Sequence, residues 1–218
     1  QDKAAFDVWQ GNSLLGFEKY ETYLSITGDS LITWSAVEYN LTAGQATGNF
    51  AKESVLIDGA LDAYPLFYQT REVVGGESRA MSMTVIDTTA QIFRESSGSG
   101  VGSVIEIPRG RFFIFDPSIY HHIEILLGRF SRRSVESRRY QVVVPAAGTI
   151  LDLRAVRGEE ETVQLSDGTE RTGVKMELSD DLTKFEAWVD EGGRLLRLEA
   201  KAQGIKVIRR PDEKTSDS

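Results

Sequence analysis

The chain has 218 residues, a formal charge of −8 and a pI near 4.9. That balance argues against nucleic acid as the main partner, because phosphate binding needs a net basic footprint. It contains no cysteine, which excludes disulfides, thiol nucleophiles and cysteine metal sites. No apolar run approaches the roughly 18 residues of a membrane-spanning helix.

Alternating strand patterns run from near the start. Residues 5–10 lead through Gly11-Asn12-Ser13 into a long strand over about 15–27. Gly28-Asp29-Ser30 supplies a tight hairpin, since Gly and Asp tolerate left-handed backbone. The next strand, 31–41, places Ile32, Trp34, Ala36 and Glu38 on one face, with Leu31, Thr33, Val37 and Tyr39 breaking strict alternation. Further strands are expected at 49–57, 65–74, 78–87 and 89–94, with Gly75-Gly76 as a hairpin turn. After an interruption they resume at 140–145, 149–157, 161–165, 171–178, 184–189 and 194–200. Ser166-Asp167-Gly168-Thr169 and Asp190-Glu191-Gly192-Gly193 carry turn chemistry between neighbours. Short turns between successive strands imply antiparallel pairing.

The interruption reads as one amphipathic helix over about 117–130. Asp116 suits an N-cap and Pro117 the first helical position, and Ile119, Ile123, Leu126, Leu127 and Phe130 recur at helical spacing. Arg129 near its end complements the helix dipole. Glu124 is expected to face outward.

Few features carry chemistry. Ser97-Gly98-Ser99-Gly100-Val101-Gly102-Ser103 is glycine-rich, but a phosphate loop needs a helix N-terminus behind it, and Val104-Ile105-Glu106-Ile107 reads as a strand. A flexible hairpin loop without a bound phosphate is the expectation. His121 and His122, the two histidines, point about 100° apart on a helix and do not chelate one ion together. They are read as surface or packing residues, with no metal and no cofactor. There is no Gly-x-Ser-x-Gly elbow for a serine hydrolase, and Glu159-Glu160-Glu161 and Asp180-Asp181 read as solvated turns. The cluster Arg129, Arg132, Arg133, Arg138 and Arg139 follows the helix. It is either a solvated loop or the mouth of a groove in which guanidinium groups hold an anionic head.

The last third carries a family resemblance: Tyr140-Gln141-Val142-Val143-Val144-Pro145, then Arg171-Thr172-Gly173-Val174-Lys175-Met176-Glu177-Leu178, then Phe185-Glu186-Ala187-Trp188-Val189-Asp190-Glu191-Gly192-Gly193-Arg194-Leu195-Leu196. It resembles exported bacterial proteins of unknown function in which a closing strand pair completes a long curved sheet. These are similar in plan to the bacterial lipoprotein carriers, whose unclosed barrel wraps a helix-covered apolar cavity. The resemblance identifies no active residue.

The expected fold is all-β: one highly curved antiparallel half-barrel or open barrel spanning 1–210, with the helix on its concave face and a disordered polar tail at 211–218. A β-sandwich is the alternative. The expected function is an exported, non-enzymatic binding protein, periplasmic or secreted after removal of a signal peptide. Its lipid-like or apolar ligand would lie between sheet and helix against Ile119, Ile123, Leu127, Trp34, Arg129 and Arg132. An envelope scaffold that presents a sheet edge to a partner protein, or an enzyme acting on lipid or glycan through dispersed carboxylates or the histidines, stands beside it.

Overall fold

The computed structural model describes residues 2–43, 46–61, 64–128, 136–180 and 183–211. Eight strands come first: β1 (Asp2–Gln10), β2 (Ser13–Leu24), β3 (Ser30–Ala43), β4 (Ala46–Gly59), β5 (Pro65–Val74), β6 (Glu77–Ile86), β7 (Thr89–Ser96) and β8 (Ser99–Glu106). The short β9 (Phe112–Ile114) and the helix α1 (His121–Gly128) follow. The chain then returns through β10 (Ser137–Val144), β11 (Thr149–Gln164), β12 (Glu170–Ser179), β13 (Lys184–Val189), β14 (Leu195–Ala200) and β15 (Ile205–Arg209). Arg129, Arg132, Phe130 and the tail from 212 onward lie outside the described residues.

All fifteen strands join one sheet in the order β8-β7-β6-β5-β4-β3-β2-β1-β15-β14-β13-β12-β11-β10-β9. The first and last strands, β1 and β15, pair in its middle. Every pairing is antiparallel except β9 with β10, and that exception has a simple cause. The connection from β9 to β10 is long and contains the helix, so parallel pairing is allowed there. Tight turns govern the rest. Ser97 and Gly98 both have positive φ, 51° and 79°, the backbone of a two-residue hairpin whose twist matches that of its strands.

The sheet is an open barrel rolled past closure. β9 is tucked inside and packs against β5, and Phe112, Phe113 and Ile114 are all buried. The Arg94 Nη2 group on β7 donates to the carbonyl of Pro145, in the turn between β10 and β11, at 2.6 Å. α1 sits within the roll against β13 and β14. The core lies on the concave face and joins Phe6, Val37, Tyr68, Met83, Ile92 and Met176 to the helix. A smaller cluster of Val163, Leu165, Trp188 and Leu196 packs beside the far half of β11, which runs unbroken past an irregularity between Arg157 and Glu160.

Four expectations are corrected. α1 starts at His121 rather than 117, preceded by a turn in which the Ile119 amide donates to the Asp116 carbonyl. Glu124 is buried, at 7% exposure. Only Ser97 and Gly98 form the turn of the glycine-rich stretch, and Ser99–Glu106 is strand. In β3, the residues facing the core are Thr33, Ser35, Val37 and Tyr39, so Trp34 lies on the opposite face. The hydrophobic pattern of β3 misleads because the interior beside it is polar. Thr33 bonds Thr22 at 2.9 Å and Ser35 bonds Ser54 at 2.6 Å, and a hydroxyl with a partner can be buried.

Candidate functional site

Two features stand out among the described residues: a buried polar network that seats the helix, and the free edge of the sheet at β8.

The network begins on β2. Glu18 and Tyr20 share the core face because side chains on a strand alternate with period two. The fully buried Glu18 accepts the Tyr120 amide at 2.7 Å and the His121 amide at 3.2 Å. Its Oε1 lies 2.7 Å from His121 Nδ1. A distant carboxylate thus caps the helix N-terminus, satisfying orphan amides and meeting the positive end of the dipole. One turn on, the Tyr20 hydroxyl donates to Glu124 at 2.7 Å. Arg209 Nη1 approaches the same carboxylate at 3.0 Å and donates to the Leu195 carbonyl at 3.3 Å.

Asp116 forms the second half. Lys52 Nζ sits 2.7 Å from its Oδ2, and the Tyr68 hydroxyl donates to the same oxygen at 2.8 Å. Its Oδ1 accepts the Ser118 amide and hydroxyl at 3.1 and 2.7 Å, and its own amide donates to His122 Nδ1 at 3.1 Å. The two imidazoles meet edge to face, 4.6 Å apart. Each Nε2 is buried and makes no hydrogen bond among the described residues.

Burial and charge set the ionisation of these groups. Burial raises the Asp116 carboxyl, but the Lys52 ammonium and the bonds from Lys52 and Ser118 outweigh it and hold the pKa at about 2. Burial pushes Glu124 above the ordinary carboxylate range against the pull of Arg209 and Tyr20. His122 is held well below the usual histidine value, by burial first and then by His121. Burial also raises Tyr20, Tyr39 and Tyr68, and it takes Tyr120 to about 12.

Four surface cavities lie around this frame among the described residues. One of about 680 Å³ is lined by Arg157, Arg171, Arg194, Arg209 and Asp190. A second, of about 570 Å³, meets Lys52, Glu72, Arg94 and Val101. The third, about 520 Å³, meets Phe17, Lys19, Tyr20 and Trp34. The fourth, about 490 Å³, lies by Tyr64, Arg109 and Arg111. Glu18, Asp116 and Glu124 line none of the four; Lys52, Tyr20 and Arg209 stand between them and the openings. Ile119, Ile123 and Leu127 also line none of them, and their side chains are at most 1% exposed within the core. The structure brings these three together and sets Trp34 apart on the other face, with Lys19 Nζ 5.5 Å above its ring. Among the described residues, no helix is long and apolar enough to cross a membrane, and no three His, Asp or Glu side chains are arranged to hold a metal ion.

Sequence reasoning missed Glu18, Tyr20, Lys52, Tyr68 and Arg209. The available signal was period two: on 17–26, Glu18, Tyr20 and Thr22 share a face, and Tyr20 on that face stacks on His121 with ring centroids 5.1 Å apart. An acid on such a face has to find a partner inside.

At the other feature, β8 pairs with β7 on one side only. The Ile107 amide donates to the Thr88 carbonyl at 2.9 Å, so by alternation the odd residues of β8 direct their backbone groups to β7. The amides and carbonyls of Gly100, Gly102 and Val104 therefore point outward from the sheet. Residues 96–105 carry no charge, and Val101 and Val104 are each 65% exposed.

No family model matches the chain, and no curated protein matches it. Among solved structures it is similar to the crystal structure of a β-barrel-like protein of domain of unknown function DUF1849 from Brucella abortus. The TM-score is 0.61 over 95% of this chain and 94% of that one, at 11% identity. At that identity the likeness shows the fold alone: an all-β open barrel.

Proposed function

We propose that this protein is a non-enzymatic interaction domain that takes an extended strand of another polypeptide onto β8. The observation that carries the proposal is the inequality of the two sheet ends. β9 is rolled inside, paired in parallel and buried, whereas β8 is eight residues long, uncharged over most of its length and open. Free edges are usually blunted by lysine, proline, a bulge or a covering element, because a row of unpaired amides and carbonyls templates further pairing. Among the described residues β8 has none of these, and two of its three outward-facing positions between 100 and 104 are glycines, which leave the backbone unshielded. Strand addition uses this kind of surface: main-chain bonds give affinity, and alternate side chains give specificity.

The apolar-ligand reading, and the likeness in plan to lipoprotein carriers, ask for space between α1 and the sheet. Ile119, Ile123 and Leu127 fill that space themselves. An enzymatic reading asks for an accessible carboxylate, and the three buried around the helix, Glu18, Asp116 and Glu124, are engaged by His121, Lys52, Arg209 and tyrosines.

The test is site-specific photo-crosslinking in source cells, with a benzophenone side chain at Val101 or Val104 and at the fully exposed Ile26 as control. Adducts are expected at the two β8 positions and not at Ile26. They should disappear in Gly102→Pro, which removes an outward amide without touching the β7 ladder. Adducts that persist in Gly102→Pro, or that form equally at Ile26, sink the proposal.

A further inference from the structure

We propose that the strand received by β8 is the β8 of a second copy, paired antiparallel about a twofold axis through Ser103. This rests on the strand-addition reading and names its partner. Two constraints narrow the possible registers. A twofold axis that makes two strands antiparallel stands perpendicular to the sheet, so residues directly opposite must share a face. The residues that exchange hydrogen bonds must also be the even-numbered ones, whose backbone groups point outward. Both conditions hold only when the axis passes through a residue, and near the middle of β8 that means Gly102 or Ser103.

The two choices differ in packing. With the axis at Gly102, Val104 of the second copy stands opposite Gly100. That position is taken, since a Cβ on Gly100 would lie 2.3 Å from Phe93 Cζ. With the axis at Ser103, Val104 stands opposite Gly102, where a Cβ would meet nothing within 4 Å. The half-exposed Phe93, paired with Gly102 across β7, offers its ring beside that open place. On the concave face the same register sets Val101 against Ile105 of the second copy, an apolar pair of the kind that stabilises sheets.

Charge permits the arrangement in a chain of net −8. The run from 96 to 105 is neutral, and the Ser103 register puts Glu106 opposite Gly100 rather than opposite another acid. Glu95 of one copy and Glu106 of the other are then two strand spacings apart, about 10 Å, which is roughly one Debye length at 0.1 M salt. The sequence of β8 is therefore self-complementary in shape, hydrogen bonding and charge.

Sedimentation velocity of the full chain tests this, together with one engineered thiol. Ser103→Cys gives the cysteine-free chain a single sulfhydryl on the axis. Opposite residues at a non-hydrogen-bonded antiparallel site have Cα atoms about 4.5 Å apart, within disulfide range. The chain is expected to sediment as a dimer that Gly102→Pro converts to monomer. Under mild oxidation Ser103→Cys should cross-link at least roughly tenfold faster than Leu14→Cys, a control at 53% exposure that is more accessible than the partly buried Ser103. A monomer up to about 100 μM, or Ser103→Cys cross-linking no faster than Leu14→Cys, overturns the inference. If the chain is monomeric while Val101 and Val104 still cross-link to other proteins in cells, strand addition stands and self-pairing alone falls.

Discussion

His122 shows most clearly how single residues carry the interior of this protein. It is fully buried, accepts the Asp116 amide and packs against a second imidazole and the Tyr68 ring. Burial depresses its pKa in the folded state, so protonation favours the unfolded chain. Its contribution to stability is full above the unfolded value near 6.5 and falls as pH drops below it. The Asp116 contribution behaves likewise but lower, between the ordinary 3.8 and about 2. Glu124, raised by burial, works the other way and gains as pH falls through the carboxylate range. Thermal melts between pH 7.5 and 5 should therefore show a loss beginning near pH 6.5, with a limiting slope of about 1.4 kcal/mol per pH unit. His122→Asn keeps an acceptor for the Asp116 amide and should flatten that slope. An unchanged slope in the variant would assign the loss to another group. None of this was legible in the adjacent pair His121-His122, because its meaning depends on Glu18 and Asp116, one of them more than a hundred residues away.

At the scale of elements, turn chemistry and alternation placed most strands, since Gly-rich hairpins and period two are local properties. They failed where an element is positioned by something remote. α1 begins later than its own signals indicate because Glu18, on β2, supplies the cap that Asp116 was expected to give. Asp116 caps only the turn ahead of the helix, through the Ser118 amide, and its other oxygen pairs with Lys52. β3 turned its polar residues inward for the same reason, and Trp34 outward. Close backbone approach is a second such property. Gly16 on β2 has ordinary φ, yet a Cβ there would lie 1.9 Å from the Glu38 carbonyl oxygen on β3. Backbone cannot swing aside as a side chain can, so Gly16→Ala should cost at least about 1–3 kcal/mol in denaturant melts. Gly48→Ala, where nothing lies within 4 Å, should be neutral or slightly stabilising. Equal costs at the two positions would mean that the β2–β3 approach is looser than described.

Across the whole molecule, stability should be graded along the sheet. β1 and β15 join the two halves at its centre and carry Phe6, Val8 and Val207 in the core. β8 has one neighbour and little burial. In native-state hydrogen exchange of the Gly102→Pro chain, amides of β7 and β8 should exchange through local opening, while those of β1, β14 and β15 exchange only on global unfolding. Uniform protection along the sheet would contradict this gradient. The sequence by itself determined the all-β class, the hairpin connections and the presence of a helix between the two runs of strands. Each follows from residues close together in the chain: alternation, turn glycines, a 3.6-residue apolar repeat. Only the tertiary structure decided which face of each strand turned inward, what capped the helix, and which sheet end was sealed. Those outcomes depend on partners brought together by rolling the sheet. A buried charge or an open edge has no local signature until its neighbours, or their absence, are in place.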